Sequence, residues 1–287
     1  HFLDLGLGTW LVTQPFIIDL DEPLLRFAEI GLGLALVVSS LISLLPFATW
    51  ARWGSAAIGC LVMAAPFCLW TENAAAYHLD TLLGGLIVGL AVCTKPEIGV
   101  SVLASSEGPA VPPGWSYNPS AWRQRFAVIV LALVGLYISR YLAAYQLGLI
   151  PQVWEPFFVG SPDNPMNGTE EIITSSVSEA WPVSDAAVGA LTYMLEILTS
   201  LIGSRARWRT MPWLVIFLGL LIVPLGITSI FFIIIQPIVI GTWSTLALIG
   251  AACILVQIPY SLDEVLASVQ FLIRRVRLGR NWLRILL

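Results

Sequence analysis

The chain has 287 residues, of which 57% are hydrophobic and 11% charged. Soluble proteins carry about a quarter charged residues, so a soluble globular domain is excluded and an integral membrane protein is indicated. The net charge of −4, with no basic patch, gives no sign of a nucleic-acid partner.

The first apolar run, residues 5–18, carries Gly6, Gly8, Trp10 and then Gln14-Pro15-Phe16, and acidic Asp19, Asp21 and Glu22 separate it from a run at 24–45. A third run, 53–70, repeats the pattern with Gly59 and Ala65-Pro66-Phe67, and a fourth spans 81–92 after a polar stretch. An internal repeat offset by about fifty residues follows, each copy a transmembrane hairpin. Residues 1–94 resemble the SPW repeat, a bacterial two-helix membrane module named for a Ser-Pro-Trp tripeptide. The proline is kept as Pro15 and Pro66, while Gln14, Ala65, Phe16 and Phe67 replace its neighbours. The chain starts at His1 rather than Met, which leaves open whether an N-terminal part precedes it.

Residues 95–122, with Pro109, Pro112, Pro113 and Gly114, read as a surface linker. An apolar run to about residue 149 precedes a polar loop at 151–182 that has no Lys or Arg. Runs at 183–203, 211–234 and 237–258 come next, the last two divided by a tight turn at Gln236-Pro237. From Ser261, a Ser-Leu-Asp-Glu capping pattern opens a predicted amphipathic helix over 261–287, rich in arginine and suited to the inner membrane surface.

Eight crossings result: two hairpins, a four-helix bundle over 123–260, and the terminal amphipathic helix, in an all-α fold. With a cytoplasmic N-terminus, twelve of the fourteen basic residues fall inside and the acidic loops fall outside; Arg26 and Arg140 are the exceptions. Both termini are therefore predicted to be cytoplasmic.

Within the bundle, the stretch 178–193 has a small-residue face with Gly189 and Tyr193, and residues 236–247 read Gln-Pro-Ile-Val-Ile-Gly-Thr-Trp-Ser-Thr-Leu-Ala. Together with the hairpin before it, this region (125–265) resembles the vitamin K epoxide reductase family, membrane enzymes that couple disulfide formation to quinone reduction. The resemblance implies a Cys-x-x-Cys pair where this chain has Ser244 and Ala247, and two relay cysteines in an outer loop that here has none. It also implies a quinone-binding asparagine where Asp185 stands and a tyrosine where Ala251 stands. Disulfide exchange needs a thiolate, which neither serine nor alanine provides. The expected catalytic set is therefore none, with a quinone or lipid pocket near Asp185, Tyr193, Trp243 and Ser244, and a bacterial inner-membrane location.

Cys60, Cys68, Cys93 and Cys253 lie in apolar runs and read as small buried hydrophobes. His1 and His78 lie outside those runs, which disfavours haem, and no metal site is expected. Arg140 and Glu196 lie within predicted membrane runs and are expected to form a buried ion pair, a proton path being the alternative. The Asn167-Gly168-Thr169 sequon reads as a turn. Trp154, Phe157, Phe158 and Trp181 give the outer loop apolar anchors, either for docking other membrane subunits or for folding over the bundle. The expected function is that of a degenerate, non-catalytic accessory subunit among membrane lipids and partner subunits. The alternatives are a redox enzyme supplied with cysteines by a partner, or a transporter.

Overall fold

A computed structural model describes residues 2–18, 20–45, 48, 50–92, 108–180 and 182–277. Among these residues the chain is helical and without strand: α1 (Phe2–Ile17), α2 (Pro23–Ser43), α3 (Ala51–Cys68), α4 (Ala74–Val92), α5 (Trp122–Gln146), α6 (Gly168–Ile173), α7 (Ser176–Glu179), α8 (Asp185–Leu201), α9 (Arg207–Thr210), α10 (Pro212–Ile235) and α11 (Thr245–Arg277). A π-helical turn, Gln236–Ile240, ends α10. The helices α2, α3, α4, α5, α10 and α11 are long and apolar enough to cross a membrane. The other two predicted crossings, α1 with 16 residues and α8 with 17, lie at the short limit of the roughly 17–25 residues that a span needs. The chain is an all-α, multi-pass membrane protein.

The two hairpins are built alike because the same small residues recur. Gly8, Pro15, Glu29 and Gly33 return 51 residues later as Gly59, Pro66, Asp80 and Gly84. In the first hairpin a methyl group on Gly33 would lie 2.9 Å from the Gly8 carbonyl oxygen; in the second, one on Gly84 would lie 2.5 Å from that of Gly59. Reciprocal glycines thus let each helix pair approach at the backbone, where a bilayer supplies no hydrophobic drive and packing must hold helices together. Between the hairpins, the buried Gln14 amide donates to Glu29 Oε2 at 3.1 Å and to Asp80 Oδ1 at 2.7 Å. Both carboxyl groups lie about 9 Å below the start of their helices, at equivalent places in the two copies.

The bundle of α5, α8, α10 and α11 packs around Val128, Ala132, Tyr193, Ile197, Leu218, Ile222 and Ile254. The second hairpin joins it through Met63, Val88, Leu198 and Leu214, and Trp53 meets Trp213 edge to face at 5.0 Å.

At the basic end, two buried arginines hold the C-terminus of α8. Arg125 donates to the carbonyls of Ser200, Ile202 and Gly203 at 2.6–2.9 Å, and Arg207 to those of Thr199 and Ile202 at 2.6 and 3.0 Å. Those carbonyls have no partner within the helix and carry the negative end of its dipole, so guanidinium groups satisfy both needs. Arg207 also forms a two-pronged ion pair with Glu264 of α11 at 2.6 and 2.5 Å, and Ser120 donates to the same carboxylate at 2.5 Å.

Three expectations change. The predicted turn at Gln236-Pro237 is a π turn, and the chain reverses at Gly241, whose φ of +89° suits glycine, so the last crossing starts at Thr245. The amphipathic segment is no separate helix, since α11 runs unbroken through Pro259 for 33 residues. At about 50 Å it exceeds the roughly 30 Å hydrocarbon core and projects beyond it. The Ser261–Glu264 capping pattern does not form because Ser261 donates to the Ile258 carbonyl and Glu264 is engaged by Arg207 and Ser120. Of the predicted linker, residues 108–121 lie against the basic end: Trp115 donates to Gln270, Tyr117 to Asp263, and Asn118 to the Arg205 carbonyl. Residues 93–107, with Cys93 and Lys95, and the tail from 278, with Arg280 and Arg284, lie outside the described residues.

The glycine contact is tested by Gly84→Val, expected to lower stability by about 1–3 kcal/mol through overpacking. Gly89→Val, where a methyl group meets nothing within 4 Å, should leave the thermal midpoint in detergent unchanged. Equal losses in both variants would contradict the reciprocal packing.

Candidate functional site

A cavity of about 340 Å³ lies among α5, α8, α10 and α11 beneath the outer loop. Its walls are largely aliphatic, from Leu142, Leu221, Leu225 and Phe232, and its polar groups include Asp185, Tyr193, Gln236 and Ser244. Ala247 and Ala251 line it too, at the positions where the reductase resemblance implies a thiol and a tyrosine. The predicted pocket residues Asp185, Tyr193 and Ser244 are thus brought together. Trp243 is not among the lining residues; it precedes α11, with its backbone carbonyl packed against Gly168 of the loop.

Each polar group is held by its local structure. Ser184 caps α8, its Oγ accepting from the Ala187 amide at 3.0 Å, which sets Asp185 in the first turn. Asp185 Oδ1 accepts from its neighbour Ala186 N at 2.8 Å and from Gln146 Nε2 at 2.7 Å, and the same amide nitrogen reaches Ser178 Oγ at 2.8 Å. The Tyr193 hydroxyl donates to the Gly250 carbonyl at 3.3 Å, beside the cavity wall.

Ser244 precedes α11 with its Oγ accepting from the Ala247 amide at 3.1 Å, and its backbone N donates to Gln236 Oε1 at 3.3 Å. Its hydroxyl also meets Thr169 Oγ1 at 2.7 Å. Thr169 in turn donates to Glu155 Oε2 at 2.6 Å. The buried Glu155 carboxylate accepts as well from the Thr245 amide at 2.8 Å, from the Thr245 hydroxyl, and from Phe157 N at 3.1 Å. Burial disfavours its charge, but the hydrogen bonds from Thr169, Thr245 and the Thr245 and Phe157 amides prevail and hold its pKa below the ordinary carboxylate value. Where the reductase resemblance implies a thiol, Ser244 is part of a hydrogen-bonded knot between loop and helix.

The loop carries its own scaffold. Asn167 and Glu170 form a capping box at the start of α6, so the sequon is a helix cap rather than a bare turn. Asn167 Nδ2 donates to the Val153 carbonyl at 2.9 Å, and Val153 N to Glu170 Oε1 at 3.0 Å. Ile172 and Ile173 are buried and line the cavity roof. The aromatic residues differ in exposure. Phe158 is half-buried beside Gly168, whereas Trp154 and Phe157 are 59% and 75% exposed. Trp181 lies outside the described residues.

Arg140 and Glu196 do not form the expected ion pair. Gly189 packs against Ser139 and Gly135 against Tyr193, so on these antiparallel helices Arg140 lies nearer the loop end than Glu196 by an axial offset of about 12 Å. Arg140 Nη2 instead meets His78 Nδ1 at 2.8 Å, and its guanidinium lies 4.7 Å over the Tyr77 ring. In the amide orientation that satisfies both its ends, Gln257 donates to Glu196 Oε2 at 2.9 Å and accepts from Ala132 N at 3.2 Å. The signal that could have placed His78 is Asn73, whose Oδ1 accepts from Ala75 and Ala76 amides at 3.0 and 3.1 Å and starts α4 several residues before its apolar run.

Among known sequences, the model of the vitamin K epoxide reductase family matches residues 126–262, and that of the SPW repeat domain matches residues 1–94. No curated protein and no solved structure matches the chain.

Glu155→Gln keeps the side chain's shape and removes its charge, and the loss of charge-assisted bonds is expected to lower stability by about 1.5–3 kcal/mol. Because the folded pKa is depressed, the carboxylate's contribution is complete above the unfolded value of about 4.3 and is lost as pH falls through the folded value. The difference in thermal midpoint between wild type and variant should therefore be constant near neutrality and shrink on acidification below about pH 4. A difference independent of pH would contradict the role of the charge.

Proposed function

We propose that this chain, a vitamin K epoxide reductase family region joined to an SPW repeat domain, acts as a non-catalytic accessory subunit that keeps the family's ligand cavity without its thiol chemistry. The observation that carries this reading is the Ser244 hydroxyl, engaged with Thr169 and the Ala247 amide at the cavity mouth where the family's chemistry calls for a thiol. Aliphatic walls with a few polar groups at one end suit an apolar molecule with a polar head, such as a quinone or a lipid. The basic end, with Arg52, Arg125, Arg205, Arg207 and Arg209, is read as cytoplasmic and the 151–182 loop as external, in a bacterial inner membrane.

A partner subunit has a surface to meet. Trp154, Phe157 and Val159, the last 71% exposed, project from a loop that is otherwise tied down. Large exposed apolar side chains on a rigid support mark an interaction surface. Glu171, Glu179 and Asp163 in the same loop favour a basic partner surface.

Replacing Trp154 and Phe157 by alanine together should leave the thermal midpoint within about 1 °C, as expected for exposed positions. The same variant should release the proteins that co-purify stoichiometrically in mild detergent. A partner-free, monodisperse wild-type chain, or retention of every partner by the variant, would sink the subunit reading.

Restoring the pair with Ser244→Cys and Ala247→Cys should not create quinone-dependent dithiol oxidation, because no relay cysteine exists in the outer loop. It should instead weaken the loop by removing the hydroxyl that Thr169 meets. Turnover by the double variant alone would favour a recently disabled enzyme.

A further inference from the structure

Glu29 of α2 and Asp80 of α4 stand at equivalent positions in the two repeats and are 1% and 0% exposed. The buried Gln14 amide nitrogen donates to both, at 3.1 and 2.7 Å, and its orientation is fixed at its other end, where Gln14 Oε1 accepts from Trp10 Nε1 at 3.2 Å. The second repeat has Ala65 where the first has Gln14, so one amide holds the acids of both copies. The two carboxyl groups are also in hydrogen-bond contact with each other. Such a contact needs a donor, and an ionised carboxylate can only accept. Glu29 Oε1 and Asp80 Oδ2 are, moreover, buried acceptors to which no described residue donates.

Among the described residues, neither acid is paired with a basic side chain. On α2, Arg26 stands 4.7 Å over the Phe16 ring, and Glu22 accepts from the Thr71 hydroxyl at 3.0 Å. On α4, the Tyr77 hydroxyl donates to the Arg140 carbonyl and His78 meets the Arg140 guanidinium. Asp4 of α1 lies about 15 Å along its helix from Gln14, and Arg52 of α3 is within electrostatic reach of Asp4. The thiols of α3 are Cys60 and Cys68.

Two negative charges in hydrogen-bond contact cannot both persist where water is excluded. One proton removes one charge and supplies the missing donor, in a charge-assisted O–H···O bond. The charge that remains is met by the two N–H groups of Gln14, so no second proton is needed.

We propose that Glu29 and Asp80 form a proton-binding site in which a single proton is shared between the two hairpins. The proton is then part of the junction, and its release sets two like charges against each other there. The site lies apart from the cavity beneath the outer loop and does not rest on the function proposed for that cavity.

Infrared spectra of the full chain, purified in detergent at neutral pH, distinguish protonated from ionised carboxyl groups, and subtracting the spectrum of a variant cancels every other acid. Glu29→Gln and Asp80→Asn should each remove one protonated carboxyl band that shifts in heavy water, with the carboxylate signal unchanged because the surviving acid ionises beside two amides. The double variant should remove one protonated and one ionised group. Loss of only a carboxylate band in either single variant, or of two protonated groups in the double variant, overturns the proposal.

The thermal midpoint gives a second reading. Asp80→Asn should stay within about 2 °C of wild type, since its amide N–H replaces the shared proton, whereas Asp80→Ala should fall by about 4 °C or more. Equal falls in both would overturn the site. The wild type alone decides should the variants not fold: exchange of sodium for choline at constant ionic strength should not move its midpoint. A sodium-specific rise would assign the acids to a metal cation and sink the shared proton.

Discussion

The loop end of the bundle depends on one carboxylate. Glu155 receives hydrogen bonds from Thr169 of α6, from the amide and hydroxyl of Thr245 at the start of α11, and from the backbone of its own turn. Helix N-termini leave amides unpartnered and attract negative charge, so a loop carboxylate placed there both caps α11 and anchors the loop. Gly168 admits this closeness, because the Trp243 carbonyl and Thr242 Oγ1 occupy the space a side chain would need. The loop is consequently a fixed roof over the cavity rather than a tether between helices.

The opposite end solves the complementary problem. The C-terminal carbonyls of α8 lie beside helices instead of water, and Arg125 and Arg207 satisfy them from two directions. Glu264 neutralises Arg207 at 2.5 Å with both side chains almost fully buried. Such a pair is worth little against an apolar substitute, but loss of one partner leaves a buried charge and costs several kcal/mol. With α8 tied at its base and the roof tied at its top, the cavity between α8 and α10 needs no bound molecule to define its walls.

Much of the architecture was legible in the sequence. The apolar runs located the membrane helices, the repeated prolines and glycines gave the two hairpins, and the reductase resemblance pointed to the region around Tyr193 and Ser244 that lines the first cavity. Helix boundaries were less legible because polar residues also belong to membrane helices. Asn73 starts α4 ahead of its apolar run and brings His78 to Arg140, and α11 continues past Pro259 as it leaves the bilayer. The Arg140–Glu196 pairing failed because a buried charge needs a partner at its own depth, and linear spacing does not specify which faces meet. Arg125 and Arg207 signalled orientation by their sign, but nothing local showed that they turn inward onto the carbonyls of α8. The division of the outer loop between buried Ile172 and exposed Phe157 likewise depends on tertiary packing, since both are apolar residues in a polar segment.

In the proposed function the ligand cavity and the redox reaction are separable, with the cavity kept and the reaction lost. The most direct measurement is the ultraviolet spectrum of a quinone incubated anaerobically with the purified wild-type chain, recorded before and after a dithiol is added. The quinone is expected to bind at one per chain, and its oxidised absorbance to decline no faster than in protein-free detergent. Dithiol-dependent reduction faster than that background, saturating with quinone, would contradict the proposed separation.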